Sequence, residues 1–183
     1  MTHFWGYRIP ALVVPVVLAY AVLAAWWVWR GRAHLAVTLE RVLLGGAVAF
    51  ATAVTMSPPG VTDKGVLAPD RSCAIHTVEL GLAAVTADDQ RILNVLLLVP
   101  VGVFATLVCS RLRRHLGLAV VAVAGALPFV YEAGQQVFRG LQRACDTTDL
   151  VDNLTGVLLG LAAGGLLVGL RWAVRRESGR VAP

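Results

Sequence analysis

Residues 132–156 read EAGQQVFRGLQRACDTTDLVDNLTG and gather Glu132, Gln135, Arg143, Asp146, Asp149, Asp152 and Asn153 at the junction of two long hydrophobic runs. Carboxylates of this kind can act as general acid and base or hold a cation. An arginine can clamp a phosphate through two parallel N–H bonds, and asparagine and glutamine amides both donate and accept. Brought to one place, these groups make a cradle for a polar headgroup. The acids outnumber the neighbouring arginines, which also suits a bound cation or cationic partner. The structural alternative is an internal Arg–Asp and Glu–Gln network that holds helices in register, since buried charges tend to be paired. Ionisable groups at hydrocarbon depth are costly, so either reading makes this segment the one to explain.

The elements that must position these residues are membrane helices. Of the 183 residues, 57% are hydrophobic and 15% charged, and the mean hydropathy is +0.72. The apolar residues are gathered into runs separated by basic residues. A spanning helix needs about 20 mostly apolar residues. Five spans are predicted, at roughly 9–29, 38–57, 92–110, 116–138 and 148–170, so the fold class is an all-α polytopic bundle forming a single integral-membrane domain over residues 1–183. A cleaved signal peptide competes for the first run. However, Ala24 and Ala25 lead straight into Trp26 and Trp27 without a clean cleavage site, and the run is long for a signal sequence.

Orientation follows from the basic residues. Arg30, Arg32, Arg41, Arg111, Arg113, Arg114, Arg171, Arg175, Arg176 and Arg180 all fall on one side of a five-span topology. The chain is therefore expected to run N-out, C-in. The pI of about 9.7 reflects these topology signals, and no nucleic-acid motif appears. The longest loop, residues 58–91, then lies outside. Span three begins outside with Asn94, span four ends outside with Glu132 and Gln135, and span five begins outside with Asp149 and Asn153. Three helices thus bring polar residues to one depth. At 100° per residue, Asp149, Asn153, Gly156, Gly160 and Gly164 share a sector of about 80°. Gly125, Pro128, Glu132 and Gln136 fall on one face of span four, with Gln135 beside it. Both polar faces are small-residue faces, which allow close helix approach, and they are expected to point into the bundle and at each other.

Asn94-Val-Leu-Leu-Leu-Val-Pro100-Val-Gly102, then Glu132-Ala-Gly-Gln135, then Arg143-x-x-Asp146-x-x-Asp149-x-x-x-Asn153-x-x-Gly156 resembles the VanZ-like membrane protein family in order and spacing, over about residues 91–165. The first ninety residues match only as two hydrophobic spans and a loop. The resemblance implies a place at the cell envelope. The family's namesake is associated with low-level tolerance of the lipoglycopeptide-type antibiotic teicoplanin, and no reaction is named. The ligand set expected on these grounds is Asn94, Glu132, Gln135, Arg143, Asp146, Asp149 and Asn153, binding or processing a membrane lipid or a lipid-linked envelope precursor at the outer leaflet. A membrane enzyme with Glu132 or Asp149 as base, a small transporter, and a scaffold are the rivals. A transporter would want polar residues continuing to the inner leaflet, where they are nearly absent.

Cys73, His76 and Glu79 have a spacing that could set three ligands along a helix face, but a zinc site usually needs a fourth ligand and outer support. A Cys73–Cys145 disulfide is expected instead, because both residues fall in outer loops where disulfides persist. Cys109 is left as a lone buried thiol. No cofactor or metal is expected, and the oligomeric state is not set by the sequence.

Overall fold

The computed structural model describes residues 3–4, 7–8, 13–30, 35–56, 85–86, 88–138 and 146–181. Among these, the chain forms five helices: α1 (Val13–Arg30), α2 (Leu35–Thr55), α3 (Asp89–Cys109), α4 (Arg114–Val137) and α5 (Thr147–Val181). A two-residue antiparallel pairing, His3–Phe4 with Tyr7–Arg8, precedes them. Four helices, α2 to α5, are long and apolar enough to cross a membrane. The described part of α1 has 18 residues, roughly 27 Å at 1.5 Å per residue, just under the usual spanning length of ~30 Å. Residues 9–12, which the sequence reading counted in that span, lie outside the described residues.

Local chemistry sets the helix boundaries. The Asp88 carboxylate caps α3 by accepting from the Gln90 backbone N–H at 2.8 Å, which satisfies an otherwise orphan donor. Asp146 does the same for α5, accepting from Thr148 N–H at 2.8 Å. The turn from α3 to α4 is short: Arg111 N–H and Leu112 N–H donate to the carbonyls of Val108 and Cys109, so the two helices run antiparallel. Hydroxyls inside the spans return to their own helix, as Thr52, Thr55, Thr106 and Thr155 donate to the carbonyls of Val48, Ala51, Gly102 and Val151. In hydrocarbon no water would meet those hydroxyls. Helix α5 continues well past residue 170, where the sequence reading ended it. Arg171, Ala173, Arg175, Arg176 and Glu177 are good helix formers, and no proline interrupts them.

Helix α3 is central and packs against α2, α4 and α5. Its Leu98, Val101 and Ala105 meet Ala51 of α2, Ala124 and Tyr131 of α4, and Val157 of α5 in the buried core. The closest pair is α3 with α5. Cβ atoms at Gly156 and Gly160 would overlap the carbonyl oxygens of Val95 and Val99, and one at Gly102 would overlap the Val157 carbonyl. The two backbones therefore touch, as the small-residue ladder predicts. The partner differs from the expectation: the glycine face of α5 meets α3, whereas it was expected to meet α4. Gly125 on α4 has nothing within 4 Å of where its Cβ would lie. The inward face of α4 is Pro128, Tyr131, Glu132 and Gln135, while Gln136 is exposed.

Helix α1 packs on α2, where the Tyr20 ring covers Gly45 and Gly46 and its hydroxyl donates to the Val42 carbonyl. The other faces of the bundle carry exposed Leu, Val, Phe and Trp, as a lipid-facing surface requires. Between α2 and α4 a groove of about 400 Å³ is walled by Leu44, Val48, Val101, Val120 and Leu127.

Candidate functional site

The bundle has two unlike ends. One, the polar end, holds the start of α3 and α5 and the finish of α2 and α4. The other, the basic end, holds the reverse termini.

At the polar end, α3 is tied to α5 twice. Arg91 donates to Asp152 through Nε and Nη2, both at 2.9 Å, a forked pair with fixed geometry. The Asp152 side chain is only 1% exposed. Asn94 Nδ2 donates to Asp149 Oδ1 at 2.6 Å. Helix α4 is tied to both flanks. Glu132, 5% exposed, accepts from the Asp146 backbone N–H at 3.2 Å, and Gln135 Nε2 donates to the Thr55 carbonyl of α2 at 3.2 Å. The hydroxyls of Tyr131 and Thr52 lie 2.9 Å apart below them.

Asn153 lies one turn beyond Asp149 on α5. It is 3% exposed, and its Oδ1 has no hydrogen-bond partner among the described residues. A buried unpaired acceptor costs about 1–3 kcal/mol, so this atom calls for a partner from outside the helices.

The predicted residues thus divide. Asn94 and Asp149 are joined directly, and Glu132 reaches the head of α5 through Asp146. Gln135 binds α2, and Asp146 serves α5 as its cap. Arg143 lies outside the described residues, as do Cys73, Cys145, His76 and Glu79. Cys109, the one described cysteine, is free and half-buried, with its sulfur against Gly117, so the expectation of a buried thiol is only partly met. Among the described residues no group of three or more His, Cys, Asp or Glu could hold a metal ion.

A family model described as VanZ/LLP1 matches residues 17–168. The chain belongs to the VanZ/LLP1 family. The match reaches from α1 into α5, so it takes in the first two helices, where the motifs alone showed only hydrophobic spans. No curated protein and no solved structure matches this VanZ/LLP1 chain. Family and helices together make it a multi-pass membrane protein of VanZ-like type.

Two parts of the VanZ/LLP1 structure escaped the sequence reading. Arg91 was assigned to the outer loop, although it is the partner of Asp152. At the basic end, Glu40 of α2 is 6% exposed and accepts from Arg111 Nε and Nη2 at 3.3 Å and from Arg171 Nη1 at 2.6 Å. This clamp joins α2, the α3–α4 turn and α5. The available signal was an acid at the head of a hydrophobic run, flanked by arginines that were read only for topology.

Proposed function

We propose that this VanZ-like protein binds the polar headgroup of a lipid-linked or anionic envelope component at its polar end, and that this end faces the outer leaflet. The observation that carries the reading is Asn153: a buried amide with an unpartnered oxygen, one turn beyond the Asn94–Asp149 bond. A ligand hydroxyl or amide would satisfy it. Arg143 would supply the charge for a phosphate, and a Cys73–Cys145 bridge would fasten the loop above. If the component is a wall precursor, tolerance of teicoplanin-type glycopeptides would change with expression of the protein.

A scaffold reading has its own support in the cross-helix bonds Arg91–Asp152, Asn94–Asp149 and Gln135–Thr55, which hold register without any ligand. Mass spectrometry of the gently purified protein separates the two. A headgroup-binding protein retains one defined lipid class. Asn153→Ala and Glu132→Gln then lower that retention by about tenfold each, the value of one lost hydrogen bond to a charged or buried group, while the protein stays monodisperse. A scaffold retains no defined headgroup, and the same variants lower its thermal stability instead.

The orientation has a separate test. With the native cysteines replaced by serine, Thr2→Cys should react with an impermeant thiol reagent in intact cells and Gly179→Cys should not. Reaction at position 179 from outside would reverse the topology and place the polar end inside.

A further inference from the structure

The basic end carries a second candidate site, with chemistry opposite to that of the polar end. Arg111, Arg171 and Arg175 line a cavity of about 200 Å³ together with Ser110, Val168 and Trp172. Two of the three guanidiniums are held in place by one buried carboxylate, Glu40. One acid against three arginines leaves a surplus of two positive charges. Among the described residues no acid forms an ion pair with Arg175. Each guanidinium has five N–H donors, and the pair to Glu40 engages only two of those on Arg111 and one on Arg171. The remainder are available for an anion. The Ser110 hydroxyl donates to the Leu107 carbonyl at 2.7 Å, so the arginines are the charged donors of this cavity.

The setting suits a lipid. Trp172 is half-exposed and stacks with Arg176, whose guanidinium carbon lies 3.6 Å from the ring centroid. Amphipathic aromatic rings of this kind sit at headgroup level, and anionic headgroups collect beside juxtamembrane arginines. A diffuse cloud would need no fixed geometry. Here a buried acid fixes two arginines around a cavity, which is what forked recognition of phosphate oxygens requires.

We propose that Arg111, Arg171 and Arg175, braced by Glu40, form a phosphate site that takes the headgroup of an anionic membrane lipid. The site is independent of the polar end and of any ligand there. Its test is retention by the full-length protein, measured by native mass spectrometry after exchange into mixed phosphatidylglycerol and phosphatidylcholine. The wild type is expected to keep the anionic lipid in clear preference. Arg175→Ala should lower that retention about tenfold, as loss of charge-assisted hydrogen bonds implies. Arg175→Lys, which keeps the charge without the fork, should recover only part of it. Arg113→Ala, an exposed arginine outside the cavity, should change it less than about twofold. Neither Arg175 nor Arg113 forms an ion pair with Glu40, so both variants should keep the wild-type elution profile. Displacement of the lipid by millimolar inorganic phosphate would assign the site to the anion alone, and resistance to displacement would assign it to phosphate with its acyl chains attached. Equal retention of the two lipids, or an equal loss in Arg113→Ala and Arg175→Ala, would overturn the proposal.

Discussion

Gly160→Leu is expected to destroy the folded bundle. The Cβ of any side chain at position 160 would overlap the Val99 carbonyl and come within 2.9 Å of Gly102 Cα and Val103 N. Those atoms belong to the backbone of α3, so no rotamer change can make room. Overpacking a well-filled core costs about 1–3 kcal/mol, occasionally more. Here the two central helices must separate, which puts the effect beyond that range. Separation would also pull Arg91 from Asp152 and Asn94 from Asp149. The matched control is Gly165→Leu on the same helix, where nothing lies within 4 Å of the Cβ position. Gel filtration in detergent should show Gly160→Leu aggregated or absent and Gly165→Leu indistinguishable from wild type. A monodisperse Gly160→Leu protein would mean that the two backbones do not touch.

Asp152→Leu should have the next largest effect. It would leave Arg91, 13% exposed, without its forked carboxylate partner, and breaking a buried pair from one side costs about 3–5 kcal/mol. Removing both charges at once is a different perturbation, since apolar replacement of a whole buried pair is often neutral. The double variant Arg91→Met, Asp152→Leu should therefore regain most of the thermal stability that Asp152→Leu loses. Recovery of stability without recovery of lipid retention would assign the pair a role in the site as well as in the packing.

The sequence reading went furthest where one helix speaks for itself. Hydrophobic run length located all five described helices, four of them long and apolar enough to cross a membrane, and helical phase put Asp149, Asn153 and the three glycines on one inward face of α5. It also put Glu132 and Gln135 at the inward side of α4, with an error in phase: Gln136 is exposed, because the face centres on Pro128, Tyr131 and Gln135. The choice between neighbours could not be read. Phase states that a glycine face is buried, but not against which helix. Gly102, the only glycine α3 offers, is a single small residue rather than a ladder, so nothing in α3 advertised it as the partner. Charge pairing failed for a related reason. Arg91 and Asp152 are 61 residues apart, and Glu40 and Arg171 are 131 apart. Only the packed bundle brings such residues together, and in sequence each arginine serves equally well as a signal of orientation.

That last separation has a meaning in time. When Glu40 is added to the growing chain, Arg111 is still 71 residues from synthesis and Arg171 is 131 residues away. At ~5–20 residues per second, roughly 7–26 s pass before the second arginine is made. Through that interval Glu40 lacks the shorter of its two ion pairs. The Glu40 clamp is thus completed only when α5 arrives, and chains that stop short of α5 hold this acid through Arg111 alone.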